Sequence, residues 1–295
     1  MRITENSLVS QFLGSLNTTR ERIVDLQDQL SSGKAVEKSS DDPVAMSVIL
    51  RLQNSLDRNA QFQKNVSDAS NMIDNTQSAL GSFTDILTQL KSILATANNT
   101  TAGDSLPALA DQVDSLLTEA VNVANTQFNG KYLFGGTNTL DPPFQLAADH
   151  SAVTANPAGI TGAINYQIGE GTTQAVNIDG QEAFQGTQMF DLMIQLRDSL
   201  QSGTIPAAAS MDSVSTMMDH LVAESGKAGA ISQLLSTNQT LLEDQNTQLE
   251  SLRSNYQDTD VAEATMQMKQ AEVMLESALN TGAQIIPQSL IDYMK

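Results

Sequence analysis

Cysteine and tryptophan are both absent from the 295 residues. Without cysteine there is no disulfide, no thiol nucleophile and no thiolate metal site, and the chain is indifferent to redox compartment. Aromatic residues make up 4% of the sequence, so the large side chains that dominate ordinary cores are scarce. The 40% of apolar residues are mostly Leu, Ile, Val, Ala and Met. That mixture suits helices packed along a seam better than one thick core. Histidine occurs twice, at His150 and His220, with no second ligand at metal spacing. Basic residues are few, 15 against 34 acidic, for a formal net charge of -19. Nucleic-acid binding rests on Lys and Arg displacing counterions from phosphate. An acidic chain with no basic cluster is excluded from that class and from anionic membrane surfaces. No apolar run approaches the roughly 18 residues of a membrane span. The opening "MRITENSLVSQFLGSLNTTR" lacks the charged-then-apolar layout of a signal peptide. The expectation is a chain that is cytoplasmic or leaves the cell by a route that reads something else.

What is present is helical periodicity. Val9, Phe12, Leu16, Thr19, Ile23, Leu26 and Leu30 are spaced 3, 4, 3, 4, 3, 4, a heptad seam. Gly33 suits the left-handed position that ends a helix. "KAVEKSS" then breaks the pattern. Asp42 can cap the next helix, Pro43 fits its first position, and Asp41 adds charge near the positive end of the dipole. The seam resumes from Ala45 through Leu52, Asn59, Phe62, Ile73, Thr76, Phe83 and Leu90 to Leu94. At 1.5 Å per residue that helix is roughly 75–80 Å long. Polar Ser55, Asn59 and Thr76 on it can fix register. After the turn "ANNTTAGDSLPA", Asp104 or Ser105 can cap a third helix reaching about Phe128. Gly and Pro then become frequent. "INYQIGEG" and "TQAVNIDG" alternate as short strands do, so about 131–185 reads as a β-rich insertion. Helix returns near Gln188 and again from about Met211 to Tyr256. "NYQDTD" breaks it, with Asp258 and Asp260 as capping acids. A last helix carries Val261, Ala264, Met268, Ala271, Leu275, Ala278, Gly282 and Ile285 at the same spacing, its small residues permitting close approach, until Pro287 ends or kinks it. The fold class is mainly α: a long coiled-coil-like helical rod formed by both chain ends, with a small β-rich insertion in the middle.

Catalytic and cofactor motifs are missing. "GEGTTQ" has two of the three glycines of a dinucleotide loop and no helix after it, and reads as a strand turn. "SGKA" and "SGKAG" lack the upstream glycine of a phosphate loop. The methionines of "ATMQMKQAEVM" read as packing, with Met268 on the seam and Met274 beside it. No enzyme, cofactor or metal is expected. Pairing of the two chain ends would bury part of the terminal seams and leave the rest for neighbouring subunits. Self-assembly is therefore the favoured role, with a monomeric helical bundle as the alternative.

"LSSGKAVEKSSDDPVA", "FNGKYLFGGT" and "DVAEATMQMKQAEVMLESALNTGAQIIPQSLIDYM" resemble the flagellin superfamily. "SDDPVA" and "FNGKYLFGGT" are more similar to its hook–filament junction branch than to flagellin, which usually has "DDAAG" at the first. The resemblance covers essentially the whole chain and is weakest over 140–185. It implies a structural protein, exported through the flagellar type III pathway with help from an export chaperone and without a cleaved signal peptide. It implies a place outside the cell, in a ring of its own copies between hook-associated protein 1 and flagellin. Positions 1–36 with 259–295 would form an inner D0 domain, 37–136 with 186–258 the long-helix D1, and 137–185 an outer D2-like insertion. Subunit contacts are expected at Val9, Phe12, Leu16, Ile23, Leu26, Leu30, Val261, Met268, Ala271, Leu275, Ala278 and Ile285. An interdomain joint is expected at Gly33, Asp41, Asp42 and Pro43. A short flagellin, or a secreted coiled-coil scaffold or adhesin unrelated to flagella, are the competing identities.

Overall fold

The structure is a computed structural model that describes residues 5–99, 105–206 and 208–292. Among the described residues seven helices and six short strands follow one another. They are α1 (Glu5–Ser32), α2 (Pro43–Asn99), α3 (Leu106–Ala124), β1 (Gln127–Phe128), β2 (Lys131–Tyr132), β3 (Phe144–Leu146) and β4 (Val153–Ala155). Then come β5 (Asn165–Gly169), β6 (Thr172–Ala175), α4 (Gly180–Phe184), α5 (Gln188–Gln201), α6 (Ala208–Gln257) and α7 (Val261–Asp292). The mainly helical class with a β insertion is as expected. The chain divides into two compact units, Met1–Arg58 with Gln245–Lys295 and Asn59–Asp244.

In the second unit the seam of α2 is an inner face. Val66, Ala69, Ile73, Thr76, Leu80, Phe83, Leu87, Leu90 and Leu94 are all buried, and Met72, Ala79 and Ile86 widen the stripe. Against them α6 sets Val214, Leu221, Ala228, Leu235 and Leu242, one every seventh residue and all buried. Buried Asn59 donates from Nδ2 to the carbonyl of Leu242 at 2.8 Å. That polar bond in an apolar seam is specific to one register. Helix α3 packs on α5.

The scarcity of aromatics misleads about the core. Five of the eight phenylalanines gather in one place, with Phe184 touching Phe83, Phe134, Phe144 and Phe190 at centroid distances of 4.7–5.7 Å. They come from α2, the loop after β2, β3, α4 and α5. No local pattern in the sequence brings these distant residues together.

The third helix also ends sooner than its periodicity predicts. It stops at Ala124, because Gln127–Phe128 pairs with Lys131–Tyr132. Asn129 and Gly130 turn the hairpin, both with positive φ (50° and 73°), as a type I′ turn requires. β-pairing thus begins before the expected insertion. At the other end Ser105 makes no side-chain cap, and Asp104 lies outside the described residues. Within "GEGTTQ", Glu170 and Gly171 turn β5 into β6.

The β3–β4 hairpin is tied down by a group the sequence did not reveal. His150, in the hairpin turn, lies 2.7 Å through Nδ1 from Asp114 of α3. Arg197 of α5 donates to Asp114 at 2.8 Å and to the carbonyl of His150 at 2.6 Å. Partial burial pushes Asp114 up. The hydrogen bonds from Arg197 and His150 outweigh it and hold the carboxyl below its usual 3.8.

Candidate assembly site at the paired chain ends

Helices α1 and α7 run antiparallel and pack on each other within the first unit. Arg22 reaches Gln267 at 3.3 Å, and Phe12 lies over Gly282. A Cβ at Gly282 would fall 2.6 Å from the Phe12 ring, so the missing side chain sets how closely the two backbones approach. Of the residues expected at subunit contacts, Leu16, Leu26 and Ala271 are buried, at 7%, 6% and 3% exposure. Val9, Phe12, Ile23, Leu30, Met268, Leu275 and Ala278 are half-buried. The chain's own second terminus therefore supplies much of the cover for this seam. Val261 is 57% exposed, and the side chain of Ile285 lies outside the described residues. Helix α7 runs on past Pro287 to Asp292.

Apart from Val261, the apolar side chains that face outward are others. Leu13 and Val24 on α1, and Met266, Val273, Met274 and Leu279 on α7, are exposed. Met266, Val273 and Met274 line one open apolar depression with Lys269 and Gln270. Met274, read from spacing as packed beside the seam, is 64% exposed. These residues were visible in the sequence only as apolar positions off the 3–4 spacing.

The two helix breaks meet. Ala35 N–H donates to the carbonyl of Gln257 at 2.7 Å, and Thr259 N–H donates to that of Gly33 at 3.0 Å. Lys34 and Asp258 form an isolated antiparallel bridge. Gly33 takes φ 73° and closes α1 by donating to Gln29. Asp42 accepts from the N–H groups of Val44 and Ala45 at 2.8 and 2.9 Å, capping α2 ahead of Pro43. Asp260 accepts in the same way from Ala262 and Glu263 and caps α7. Asp41 also ties down the loop ahead of α2. It accepts from the N–H groups of Lys38 and Glu37 at 2.8 and 3.0 Å. Those bonds, Lys38 first, lower its pKa from the usual 3.8.

Among the described residues no group of three or more His, Asp or Glu stands close enough to hold a metal. No described helix is long and apolar enough to cross a membrane. Chemically the site offers apolar contact beside a hydrogen-bonded double break.

Residues 3–139 match the bacterial flagellin N-terminal helical region, and residues 211–294 match the bacterial flagellin C-terminal helical region. Flagellar hook-associated protein 3 of Salmonella typhimurium is 27% identical over 186 residues, 62% of this chain and 57% of that protein. Phase 1 flagellin of Salmonella naestved is 26% identical over 140 residues, 47% of this chain and 28% of its own length. The chain thus spans about half the length of the hook-associated relative and less of the flagellin. The crystal structure of flagellar hook-associated protein 3 from Legionella pneumophila shares the fold, with a TM-score of 0.61 at 13% identity over 70% of this chain and 98% of that one.

Proposed function

We propose that this chain, which belongs to the bacterial flagellin family, is a structural subunit joining the flagellar hook to the filament. The observation that carries the reading of a self-assembling subunit is the state of its paired ends. Helices α1 and α7 cover each other's seam and still leave a row of large apolar side chains open beside it. That arrangement suits a subunit completed by its neighbours. The longer match to a hook-associated protein than to a flagellin supports the junction over the filament.

On this reading the chain is exported without a cleaved signal peptide, after being held by a chaperone. It then forms a ring outside the cell, with hook-associated protein 1 on one side and flagellin on the other. Residues 1–36 with 259–295 act as the inner assembly domain, 37–136 with 186–258 as the long-helix domain, and 137–185 as the outer insertion. No catalytic step belongs to it. Gly33, Asp41, Asp42 and Pro43 form the joint between inner and long-helix domains. Because the two breaks are bonded to each other across Gly33–Ala35 and Gln257–Thr259, they move as one piece. A deletion strain tests the role: hooks remain, filaments are lost, and flagellin accumulates in the medium. Filaments of normal length in that strain would leave a minor flagellin as the better identity.

A further inference from the structure

We propose that Met266 and Met274 form an oxidation-sensitive pair on α7: a peroxide-class oxidant converts their thioethers to sulfoxides and so keeps the chain out of the flagellum, an inference that rests on the assembly reading above. With no cysteine present, all of the chain's sulfur lies in its 12 methionines. Among the described residues only two of these are exposed, Met266 at 57% and Met274 at 64%. Met72, Met189 and Met193 are buried, and the other described methionines are half-buried. Both exposed side chains border the same open apolar depression, with exposed Val273 beside them. Met268, two residues along from Met266, is half-buried on the seam. One helix therefore holds both open and covered thioethers.

The chemistry is a two-electron oxygen transfer. A sulfur lone pair attacks one peroxide oxygen, the O–O bond breaks, an S–O bond forms and water leaves. Sulfur is oxidised and the peroxide is reduced. Hydrogen peroxide is uncharged at neutral pH, so a net charge of -19 does not hold it off as it would an anionic oxidant.

The product carries a polar S–O group on a side chain that was apolar. In the free chain that group stays in water and leaves the α1–α7 pair intact. When a neighbour covers the depression, each sulfoxide has to give up its water. Oxidation here acts on joining the assembly, whereas oxidation of a buried methionine would act on folding.

The test has two arms. In the first, the purified full chain is treated with limiting hydrogen peroxide without denaturant, and sulfoxide is read at each methionine by peptide mass spectrometry. Met266 and Met274 should oxidise about tenfold or more faster than Met189 and Met193, because susceptibility follows exposure. Equal rates overturn the proposal. In the second, Met266→Gln with Met274→Gln puts uncharged polar groups at both places with no oxidant present. Its thermal midpoint should match that of wild type, since both side chains are exposed. Its recovery in flagella purified from the complemented deletion strain should fall about tenfold or more. Recovery equal to wild type overturns the proposal and leaves the assembly reading standing. If the wild-type chain is itself missing from purified flagella, the assembly reading falls and the proposal falls with it.

Discussion

Leu26 and Val24 are two residues apart on α1 and have opposite surroundings. Leu26 is buried in the seam with α7, and Val24 is 55% exposed. A carboxylate at 26 would lose its water without a partner, a cost of several kcal/mol. Leu26→Asp should therefore loosen the α1–α7 pair itself, seen as faster hydrogen exchange along α1 in the purified chain. Val24→Asp should leave exchange as it was and still fail to restore motility to the deletion strain, if the outward face meets a neighbour. Protection of α1 unchanged in Leu26→Asp would remove the seam from the account.

Asp114 makes a second residue-scale case. Its folded pKa is depressed, so the carboxylate contributes stability above its unfolded value of about 3.9. That contribution is lost as pH falls through the lower folded value. Denaturation of wild type and Asp114→Asn should differ at neutral pH and converge only once pH has fallen below the lowered folded value, where the wild-type carboxyl is neutral as well. A gap that persists in acid would assign the effect to packing.

Among the elements, the long helices were legible and their partners were only partly so. Heptad spacing located α1, α2 and α7, because a seam is a local pattern that repeats for many turns. Gly33, Asp42 and Asp260 could be assigned from type and position, since caps use one residue and the next few N–H groups. Pairing of the two chain ends was expected, and the backbone bonds of Lys34's neighbours with Gln257 and Thr259 join the two breaks as well. Non-local chemistry was not legible. The Asp114–His150–Arg197 group spans three elements, and the phenylalanine cluster spans five. Asn129–Gly130 did carry a local hairpin signal, which the apolar periodicity upstream masked. The cluster predicts a large effect from one side chain. Phe184→Ala should cost about 3–5 kcal/mol, read as a lower urea midpoint, because its ring touches four others. A loss under 1 kcal/mol would mean that the site collapses around the deletion.

At the scale of the whole molecule, the claim is that this chain occupies one short zone of a long assembly. A filament subunit is spread along the entire length, whereas a junction subunit marks one boundary. Net charge, family and paired ends are compatible with either, so position decides. Immunogold electron microscopy of intact flagella, with an antibody against the purified chain, measures position directly. The account predicts a single narrow band of gold where the curved hook meets the filament, and none beyond it. Gold distributed along the filament would contradict it.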